Sequence, residues 1–475
     1  MLILHWALIL VYIIIVATAA IAVLLDNRQP EKTMAWVLVL LFFPIGGVVL
    51  YFFFGQNTRR KRHISQHSLD ELSKRQMLEF VEQRDLRIPP ECRPLMQLFA
   101  NQSMALPFKD NEVEIYTDGH EYFPALLAAI SQAKHHIHID TFIMENDPLG
   151  RLVADVLIAK AHEGVEVRLI YDDVGCWRVS GRFFNRMRRE GIDVRPFMPV
   201  KFPAFTSKVN YRNHRKLCIV DGRTAFIGGM NIARRYVSGQ NGHRWRDTHL
   251  QVRGGAVYAV QCAFLIDWYF VSRTLITDRR YYPAQPATLP RNNCLAQVVT
   301  SSPIARWPDI MQGYMRILLE ARSYVYIETP YFLPTEPVLY AMRTAAIAGV
   351  DVRLMVPSHC DAKLVEWASH SYVCEALEAG VSVYFYNDGF NHSKLLVSDD
   401  KVCTCGSSNV DFRSFENNFE ANIFFYDRNM AQRIKRVFER DMEHCIVVHT
   451  VDQLPRNAFH TRLWMSLVRL LSPLL

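Results

Sequence analysis

The stretch HRKLCIVDGRTAFIGGMN, His214–Asn231, decides how this chain folds and what chemistry it carries. It contains His214, Lys216 and Asp221 in the pattern H-x-K-x4-D, with an apolar run between the lysine and the aspartate. Alternate residues of a strand point to the same face, so the imidazole and the ammonium group project side by side. This pair is suited to binding a phosphate.

The same pattern returns in HSKLLVSDDKVCTCGSSN, which places a histidine, a lysine and an aspartate at identical spacings: His392, Lys394 and Asp399. An asparagine follows the histidine by 17 positions in both copies, Asn231 in the first and Asn409 in the second. One such pattern is a weak signal in a long chain, but two in register are not an accident.

Small residues precede both asparagines, as Gly228-Gly229 and as Gly406-Ser407-Ser408. Residues without bulky side chains let the backbone approach a ligand closely. We therefore expect the histidine, lysine and asparagine side chains of both copies to converge on one phosphodiester.

The duplication extends beyond the two motifs. VEVRLIYDD after Gly164 matches VDVRLMVPS after Gly349, and each lies between two helical segments. The upstream stretches HHIHIDTFI and SYVYIETPYF also correspond. Strands that alternate with amphipathic helices predict two similar α/β domains with mostly parallel sheets.

A chain of 475 residues exceeds the usual size of a single core, which favours two domains with accessory segments. The predicted boundaries are residues 1–56 for a two-helix transmembrane hairpin, 57–110 for a helical connector, 111–275 for the first α/β domain, 276–296 for a proline-rich linker, 297–445 for the second α/β domain and 446–475 for an amphipathic tail.

The first 54 residues are apolar enough to predict two membrane spans, Leu2–Leu25 and Met34–Phe54. A signal peptide is disfavoured because the start is not basic and a second apolar run follows. Arg59-Arg60-Lys61-Arg62 follows the second run at once, so the positive-inside rule places the catalytic region in the cytoplasm.

The net charge of +7 and the pI near 8.8 suit nucleic acid, an anionic membrane or a phosphate substrate, and do not choose among them. The ten cysteines are scattered through apolar runs, which favours buried thiols in a reducing compartment. Cys403-x-Cys405 lacks a second Cys/His pair at zinc spacing, and we predict neither a metal nor another cofactor.

The duplicated pattern, with the tail Asn409-Val410-Asp411-Phe412-Arg413-Ser414, resembles the phospholipase D superfamily. The hairpin MAWVLVLLFFPIGGVVLYFFFGQN and the ending RLWMSLVRLLSPLL resemble bacterial cardiolipin synthases. The resemblance implies two halves packed about a pseudo-twofold axis, with both motifs at one central cleft.

The resemblance also implies a double displacement through a phosphohistidine. His214 is then the nucleophile and His392 the acid/base, although the internal symmetry leaves the reverse open. The resemblance assigns phosphate binding to Lys216, Lys394, Asn231 and Asn409. It assigns orientation of the histidines to Asp247 and Glu420. It places Asp221 and Asp399 in the catalytic motif, and they also stand where a turn is due.

Other candidate groups are weaker. His136 and His138 share one strand face, and with His135 they look metal-like, but no matching carboxylate and cysteine set is nearby, so a structural role is favoured. Asp172 and Asp173 end a strand, where they either line the cleft mouth or form a turn.

The tail puts Leu463, Trp464, Leu467, Leu470 and Leu471 on one helical face, which suits either core packing or docking on a membrane surface.

The favoured function is a phosphatidyltransferase of the bacterial inner membrane that makes cardiolipin and glycerol from two phosphatidylglycerol molecules. Its partners are phosphatidylglycerol and anionic membrane lipids, and no nucleic acid is expected. The alternatives are a phospholipase D-type hydrolase or a transferase with another acceptor such as phosphatidylethanolamine. A membrane-tethered nuclease is disfavoured because neither motif is flanked by a dense basic and aromatic run.

Overall fold

The computed structural model describes residues 2–25, 30–51, 88–103, 105–200, 210–240, 242–285, 294–454 and 459–473. Most of the predicted connector with its basic run, and part of the predicted linker, lie outside this range. The remaining boundaries of the predicted segments stay a prediction.

The N-terminal region contains the helices α1 (Leu2–Leu25), α2 (Pro30–Phe42) and α3 (Pro44–Leu50). Pro44 starts a separate helix because it has no backbone N–H to continue the hydrogen bonds of α2. The 13 residues of α2 therefore extend for only about 20 Å. Among the described residues, no helix combines the length and the apolarity needed to cross a membrane, and the two predicted spans are not shown.

The first half of the remaining chain contains the helices α4 (Arg93–Ser103), α5 (Gly119–Ser131), α6 (Pro148–His162), α7 (Gly181–Arg189), α8 (Arg235–Ser238) and α9 (Ala256–Ser272). Its strands are β1 (Pro107–Tyr116), β2 (His136–Thr141), β3 (Glu166–Asp172), β4 (Asp193–Phe197), β5 (Arg212–Asn213), β6 (Lys216–Val220), β7 (Thr224–Gly228), β8 (Trp245–Arg246) and β9 (His249–Arg253).

The second half contains the helices α10 (Asp309–Glu320), α11 (Glu336–Ile347), α12 (Lys363–Glu378), α13 (Phe412–Glu416), α14 (Arg428–Met442) and α15 (Phe459–Arg469). Its strands are β10 (Cys294–Ser301), β11 (Tyr324–Glu328), β12 (Phe332–Leu333), β13 (Asp351–Pro357), β14 (Ser382–Tyr386), β15 (Phe390–Asn391), β16 (Leu395–Ser398), β17 (Val402–Gly406), β18 (Val410–Asp411), β19 (Asn418–Phe425) and β20 (Cys445–Val448).

The two halves share one sheet whose strand order reads nearly the same from either end. The order is β20-β14-β13-β11-β16-β17-β19-β10-β1-β9-β7-β6-β2-β3-β4. The centre is the antiparallel pair of β1 and β10, where Phe108 lies opposite Ala296. Apart from β20, each strand on one side of this pair has an equivalent on the other, which confirms the duplicated α/β architecture.

The prediction of mostly parallel sheets is wrong. Along the strand order given above, parallel pairing is confined to β2-β3-β4 and to β11-β13-β14, whose strands are joined through helices. Off this path, two-residue strands form three further parallel pairs, β12-β18, β15-β8 and β5-β19. The strands between the two parallel sets are antiparallel, as in β6-β7-β9 and β16-β17-β19. Only three residues, Asp221–Arg223, connect β6 to β7, and such a short turn forces the chain to reverse direction.

Helices cover both faces of the sheet. In the first half, α5, α6 and α7 pack with Leu169 on one face, while α9 packs with Ile170 on the other. In the second half, α10, α11 and α12 pack with Leu354, and α14 packs with Met355. The strands are buried on both faces, so polar groups in the middle of the sheet need partners within the protein.

Candidate active site

His214 lies between β5 and β6, where a strand from the other half holds it. Asn213 pairs with Phe419 of β19, and the backbone N–H of His214 donates to the Phe419 carbonyl at 2.9 Å. His214 Nδ1 is 3.0 Å from Oε1 and 3.2 Å from Oε2 of Glu420, whose side chain is fully buried. A carboxylate at Nδ1 favours the tautomer with its proton there and leaves a lone pair on Nε2.

His392 repeats this arrangement with the halves interchanged. Phe390 and Asn391 of β15 pair with Trp245 and Arg246 of β8, and the backbone N–H of His392 donates to the Arg246 carbonyl at 2.7 Å. His392 Nδ1 lies 2.8 Å from Oδ2 of Asp247, which is fully buried. Each histidine is thus held by a carboxylate from the opposite half, an exchange that local sequence patterns did not reveal.

The two carboxylates have different further partners. Ser407 Oγ donates to Glu420 Oε2 at 2.5 Å, and Asn418 Nδ2 donates to Glu420 Oε1 at 3.2 Å. The residue equivalent to Ser407 in the first half is Gly229, where a Cβ atom would lie 2.1 Å from Asp247 Oδ1. A glycine is required at position 229 because any side chain there would collide with the Asp247 carboxylate. The close ligand contact predicted for this glycine is not needed to explain it.

Lys216 and Lys394 are buried two residues after the histidines. Lys216 Nζ donates to the His214 carbonyl at 2.5 Å, and Lys394 Nζ donates to the His392 carbonyl in the same way. Lys394 Nζ also lies 2.8 Å from His392 Nδ1 and 4.0 Å from Asp247 Oδ2. Burial and the positive charge of Lys394 lower the pKa of Lys216 to about 7, and burial lowers the pKa of Lys394 as well. The interaction between the two lysines places both motifs in one electrostatic site.

The histidines are neutral in the absence of an anion. Burial lowers the pKa of His214, and the two lysines act in the same direction. Burial and Lys394 lower the pKa of His392 to about 3. Burial alone raises the pKa of Asp247, but the charge of Lys394 and the hydrogen bond from His392 bring it below its ordinary value, so this carboxylate is ionised.

The asparagines that follow each motif are buried beside the site. Asn231 Oδ1 accepts from the Ile143 N–H at 3.1 Å, and its Nδ2 donates to Tyr236 Oη at 2.9 Å. Asn409 Nδ2 donates to Asp411 Oδ2 at 2.9 Å. Each amide nitrogen carries a second hydrogen, so a contact with a phosphoryl oxygen stays a prediction.

The aromatic surroundings differ between the histidines. The Phe142 ring lies 5.0 Å from that of His214. His392 lies 5.7 to 6.0 Å from three rings: Trp245, Tyr331 and Phe390.

Sequence reasoning missed two buried arginines that brace the carboxylate-bearing strands. Arg215 Nε donates to the Glu420 carbonyl at 3.1 Å, its Nη2 donates to the Ser301 carbonyl at 3.4 Å, and its Nη1 pairs with Asp267. It therefore ties the segment of His214 to the strand of Glu420. Asp267, an isolated acid in the apolar helix α9, was the signal in the sequence.

Arg246 performs the corresponding task beside Asp247. Its Nη2 lies 2.5 Å from Asp441 Oδ2, and its Nη1 donates to the hydroxyl groups of Thr248 and Ser393. Ser393 follows His392 directly in the chain, so this guanidinium also links the two halves.

Asp221 and Asp399 do not reach the site. They follow the far ends of β6 and β16, about 16 Å along the strand from the motif lysines. Asp221 accepts from the backbone N–H groups of Lys134, His135 and His136 at 2.8 to 3.0 Å. Asp399 accepts in the same way from Arg322, Ser323 and Tyr324 at 2.8 to 2.9 Å. Both residues have φ near +50° and anchor a turn, so their position does not support catalysis.

The other candidate groups lie elsewhere. His136 and His138 are buried on β2 and are bridged by Gln261, at 3.1 and 2.9 Å. Asp172 accepts from the N–H groups of Val174, Gly175 and Asn213, which makes it a turn residue that also holds the segment before His214. Across the described ranges, no cluster of three His, Cys, Asp or Glu side chains has the arrangement of a metal site.

Comparison with known proteins agrees with this geometry. The family described as "Cardiolipin synthase, PLD-like domain" matches residues 126–247 and 314–442, and "Phospholipase_D-nuclease N-terminal" matches residues 6–56. Cardiolipin synthase 2 of Bacillus anthracis is 39% identical over 95% of this chain and 88% of its own length. The major cardiolipin synthase of Bacillus subtilis is 37% identical over 98% of both chains.

The fold is also similar to a solved structure. The crystal structure of phosphatidylserine synthase from Haemophilus influenzae covers 81% of this chain and 100% of its own, with a TM-score of 0.60 at 15% identity. At this identity the likeness concerns the fold alone.

Proposed function

The chain belongs to the cardiolipin synthase family of the phospholipase D superfamily, and from this membership we propose that it makes cardiolipin and glycerol from two phosphatidylglycerol molecules. The observation that carries the proposal is the pair of buried histidines, each held at Nδ1 by a carboxylate of the opposite half. Two imidazoles of this kind supply a nucleophile and a proton donor without a metal.

In the first step, His214 Nε2 attacks the phosphorus of one phosphatidylglycerol. A P–N bond forms, the P–O bond to the terminal glycerol breaks, and protonated His392 donates its Nε2 proton to the departing oxygen. Glycerol leaves and phosphatidyl-His214 remains. Lys216 and Lys394 stabilise the charge on the phosphoryl oxygens.

In the second step, His392 takes the proton from a hydroxyl group of a second phosphatidylglycerol. The oxygen attacks phosphorus, the P–N bond breaks, and cardiolipin is released with His392 protonated again. His214 is 8% exposed and His392 is 6% exposed, which restricts the access of water to the intermediate.

The charge of the site supports these protonation states. Two lysines and two carboxylates balance when both histidines are neutral. An entering phosphodiester adds one negative charge, which favours protonation of one imidazole. The substrate itself thus prepares the general acid.

We further propose that the N-terminal helices attach the enzyme to the inner membrane, with the catalytic domains on the cytoplasmic side. The exposed apolar side chains of α1, which include Leu10, Ile13 and Ile14, support contact with lipid. The basic stretch at residues 59–62 supports the orientation. Protease protection in vesicles of known sidedness tests it, and protection of the catalytic domains in inverted vesicles would contradict it.

The reaction is tested with purified full-length protein and phosphatidylglycerol in detergent, with lipid products measured by mass spectrometry. We expect cardiolipin and glycerol in equal amounts. Phosphatidic acid with glycerol would identify a hydrolase instead, and a phosphatidylethanolamine-dependent product would identify another acceptor. His162→Ala, at an exposed histidine outside the site, is the matched control for His214→Ala and His392→Ala.

A further inference from the structure

The C-terminal helix α15 is attached to the second half by only one of its sides. Met465 and Val468 are buried, and Arg469 forms an ion pair with Glu375 of α12 at 3.0 Å. The Arg469 guanidinium also lies 4.1 Å from the centre of the Tyr372 ring. The helix is therefore a folded, docked part of the domain.

The opposite side of α15 exposes large apolar side chains. Their exposed fractions are Phe459 82%, Leu463 51%, Trp464 48%, Leu467 49%, Leu470 75% and Leu471 41%. At about 100° per residue the four that lie within α15 fall within an arc of roughly 140°, and Met465 and Val468 lie outside that arc. Leu470 and Leu471 belong to the turn that follows the helix. The sequence left core packing and membrane docking open for this face, and the exposure of its side chains shows that it is not packed in the core.

The charge of this segment indicates what covers the face. Residues 453–475 contain Arg456, His460, Arg462 and Arg469 and no acidic residue. Arg469 is paired with Glu375, and the rest of the segment keeps an excess of basic residues. An apolar helical face with a tryptophan, in a segment that is basic and has no acidic residue, suits the interface of an anionic bilayer. The 11 residues of α15 extend for only about 16 Å, so such a helix lies in the plane of the interface.

We propose that the exposed face of α15, from Phe459 to Leu471, docks on the surface of an anionic lipid bilayer. The docking itself does not depend on the catalytic reaction. Its consequence rests on the proposed function, because a second contact with the membrane holds the catalytic domains against the surface that contains their lipid substrate.

Docking is measured first with full-length protein reconstituted in nanodiscs that contain phosphatidylglycerol and brominated phospholipid. Trp464 is the reporter, and the chain has eight tryptophans, so the Trp464 signal is the difference between the unmodified protein and Trp464→Phe. We expect brominated lipid to quench this difference and phosphatidylcholine discs to quench it less. An unquenched Trp464 signal in anionic discs overturns the proposal.

A second measurement uses Leu463→Ser/Leu467→Ser, with Leu319→Ser/Ile347→Ser as a matched control at exposed apolar positions of α10 and α11. We expect the first variant to lose about tenfold in rate on phosphatidylglycerol bilayers and to keep its rate on short-chain phosphatidylglycerol in micelles. The control keeps both rates. Equal rates of the two variants on bilayers overturn the proposal.

Protein occupants of the face give distinct results. If a second copy of the chain covers it, Leu463→Ser/Leu467→Ser dissociates an oligomer in lipid-free detergent, which overturns the proposal. If the N-terminal helices cover it, Trp464 is shielded from brominated lipid, with the same consequence. Failure of the proposed reaction gives a different result. The unmodified protein then shows no reaction on short-chain phosphatidylglycerol in micelles, while brominated lipid still quenches Trp464.

Discussion

The two half-sites share one backbone plan but surround their histidines differently. Among the described residues, His214 has one aromatic neighbour, and its carboxylate, Glu420, is supported by two side chains. His392 has three aromatic neighbours and a lysine Nζ 2.8 Å from its Nδ1. The duplicated fold sets equivalent positions, and substitutions at those positions make the two imidazoles unequal. In the proposed double displacement the two histidines perform different tasks, and their unequal surroundings distinguish them.

The bracing arginines show the same departure from symmetry. The residue after the motif histidine is Arg215 in the first copy and Ser393 in the second. The residue before the orienting carboxylate is Arg246 in the first half, before Asp247, and Phe419 in the second half, before Glu420. Each half-site receives one guanidinium, and both come from the first half: Arg215 follows a motif histidine, whereas Arg246 precedes an orienting carboxylate. The charge is equivalent although its position in the sequence is not.

The sharpest test of this inequality is the pair His214→Ala and His392→Ala. Each should lower the rate of cardiolipin formation by about 10⁴-fold or more, because neither task has a substitute. With a phosphatidyl ester of an acidic phenol, which leaves without a proton, His392→Ala should accumulate phosphatidyl-His214. Intact-protein mass spectrometry detects the adduct. An adduct in His214→Ala instead would reverse the two roles.

The exchanged carboxylates should give the next largest effects. Glu420→Gln and Asp247→Asn keep the shape but lose the charge that fixes the histidine tautomer, so each should lower kcat by about 10³- to 10⁴-fold. The acidic phenol ester should restore the first step in Asp247→Asn and not in Glu420→Gln. Asp399→Asn, far from the site, is the control and should keep kcat. Equal behaviour of the two carboxylate variants with this ester would refute separate roles.

Removal of a bracing arginine should mainly affect stability. Arg246→Met leaves Asp441 buried without its cation, and Arg215→Met does the same to Asp267, so each should lower the free energy of unfolding by about 3–5 kcal/mol. Urea denaturation followed by fluorescence measures the change. The exposed pair of Arg186 provides the control, since Arg186→Met should cost at most about 1 kcal/mol. Addition of Asp441→Asn to Arg246→Met should recover part of the loss.

The smallest effect concerns the two lysines and pH. Lys216, with its pKa lowered to about 7 by burial, loses its proton as the pH rises through that value in the free enzyme. The ratio kcat/KM should therefore fall about tenfold per pH unit on the alkaline side. Lys216→Arg should remove this limb because a guanidinium stays protonated, whereas Lys394→Arg should keep it. If the alkaline fall of kcat/KM is unchanged in Lys216→Arg, a group other than Lys216 causes it.

The duplicated strand–helix units were visible in the sequence because VEVRLIYDD and VDVRLMVPS share the pattern V-x-V-R-L, and the structure confirms two repeated domains. The spacing of His214 and Lys216 predicted one strand face, but His214 lies just before β6, and Lys216 Nζ contacts its backbone carbonyl. The duplicated units depend on local periodicity, which the sequence displays directly.

Features formed between distant segments were not predictable in this way. The two-residue strands β5 and β15 are too short for a periodic signal, so the exchange of Glu420 and Asp247 was invisible. The antiparallel centre of the sheet was missed because the helical connections of β2 to β4 were extended to the whole domain. Gly229 was predicted to let the backbone approach a ligand. The residue that it actually contacts, Asp247, is 18 residues away in the chain and could not be recognised as its neighbour.

The crossing of β5 and β15 into the opposite halves also bears on synthesis of the chain. A nascent polypeptide that has completed its first half already presents His214 and Lys216, yet Glu420 has not left the ribosome. The imidazole then lacks the partner that sets its tautomer, and no second histidine stands beside it. We therefore expect incomplete or truncated products to be unable to attack the lipids around them until translation has passed β19.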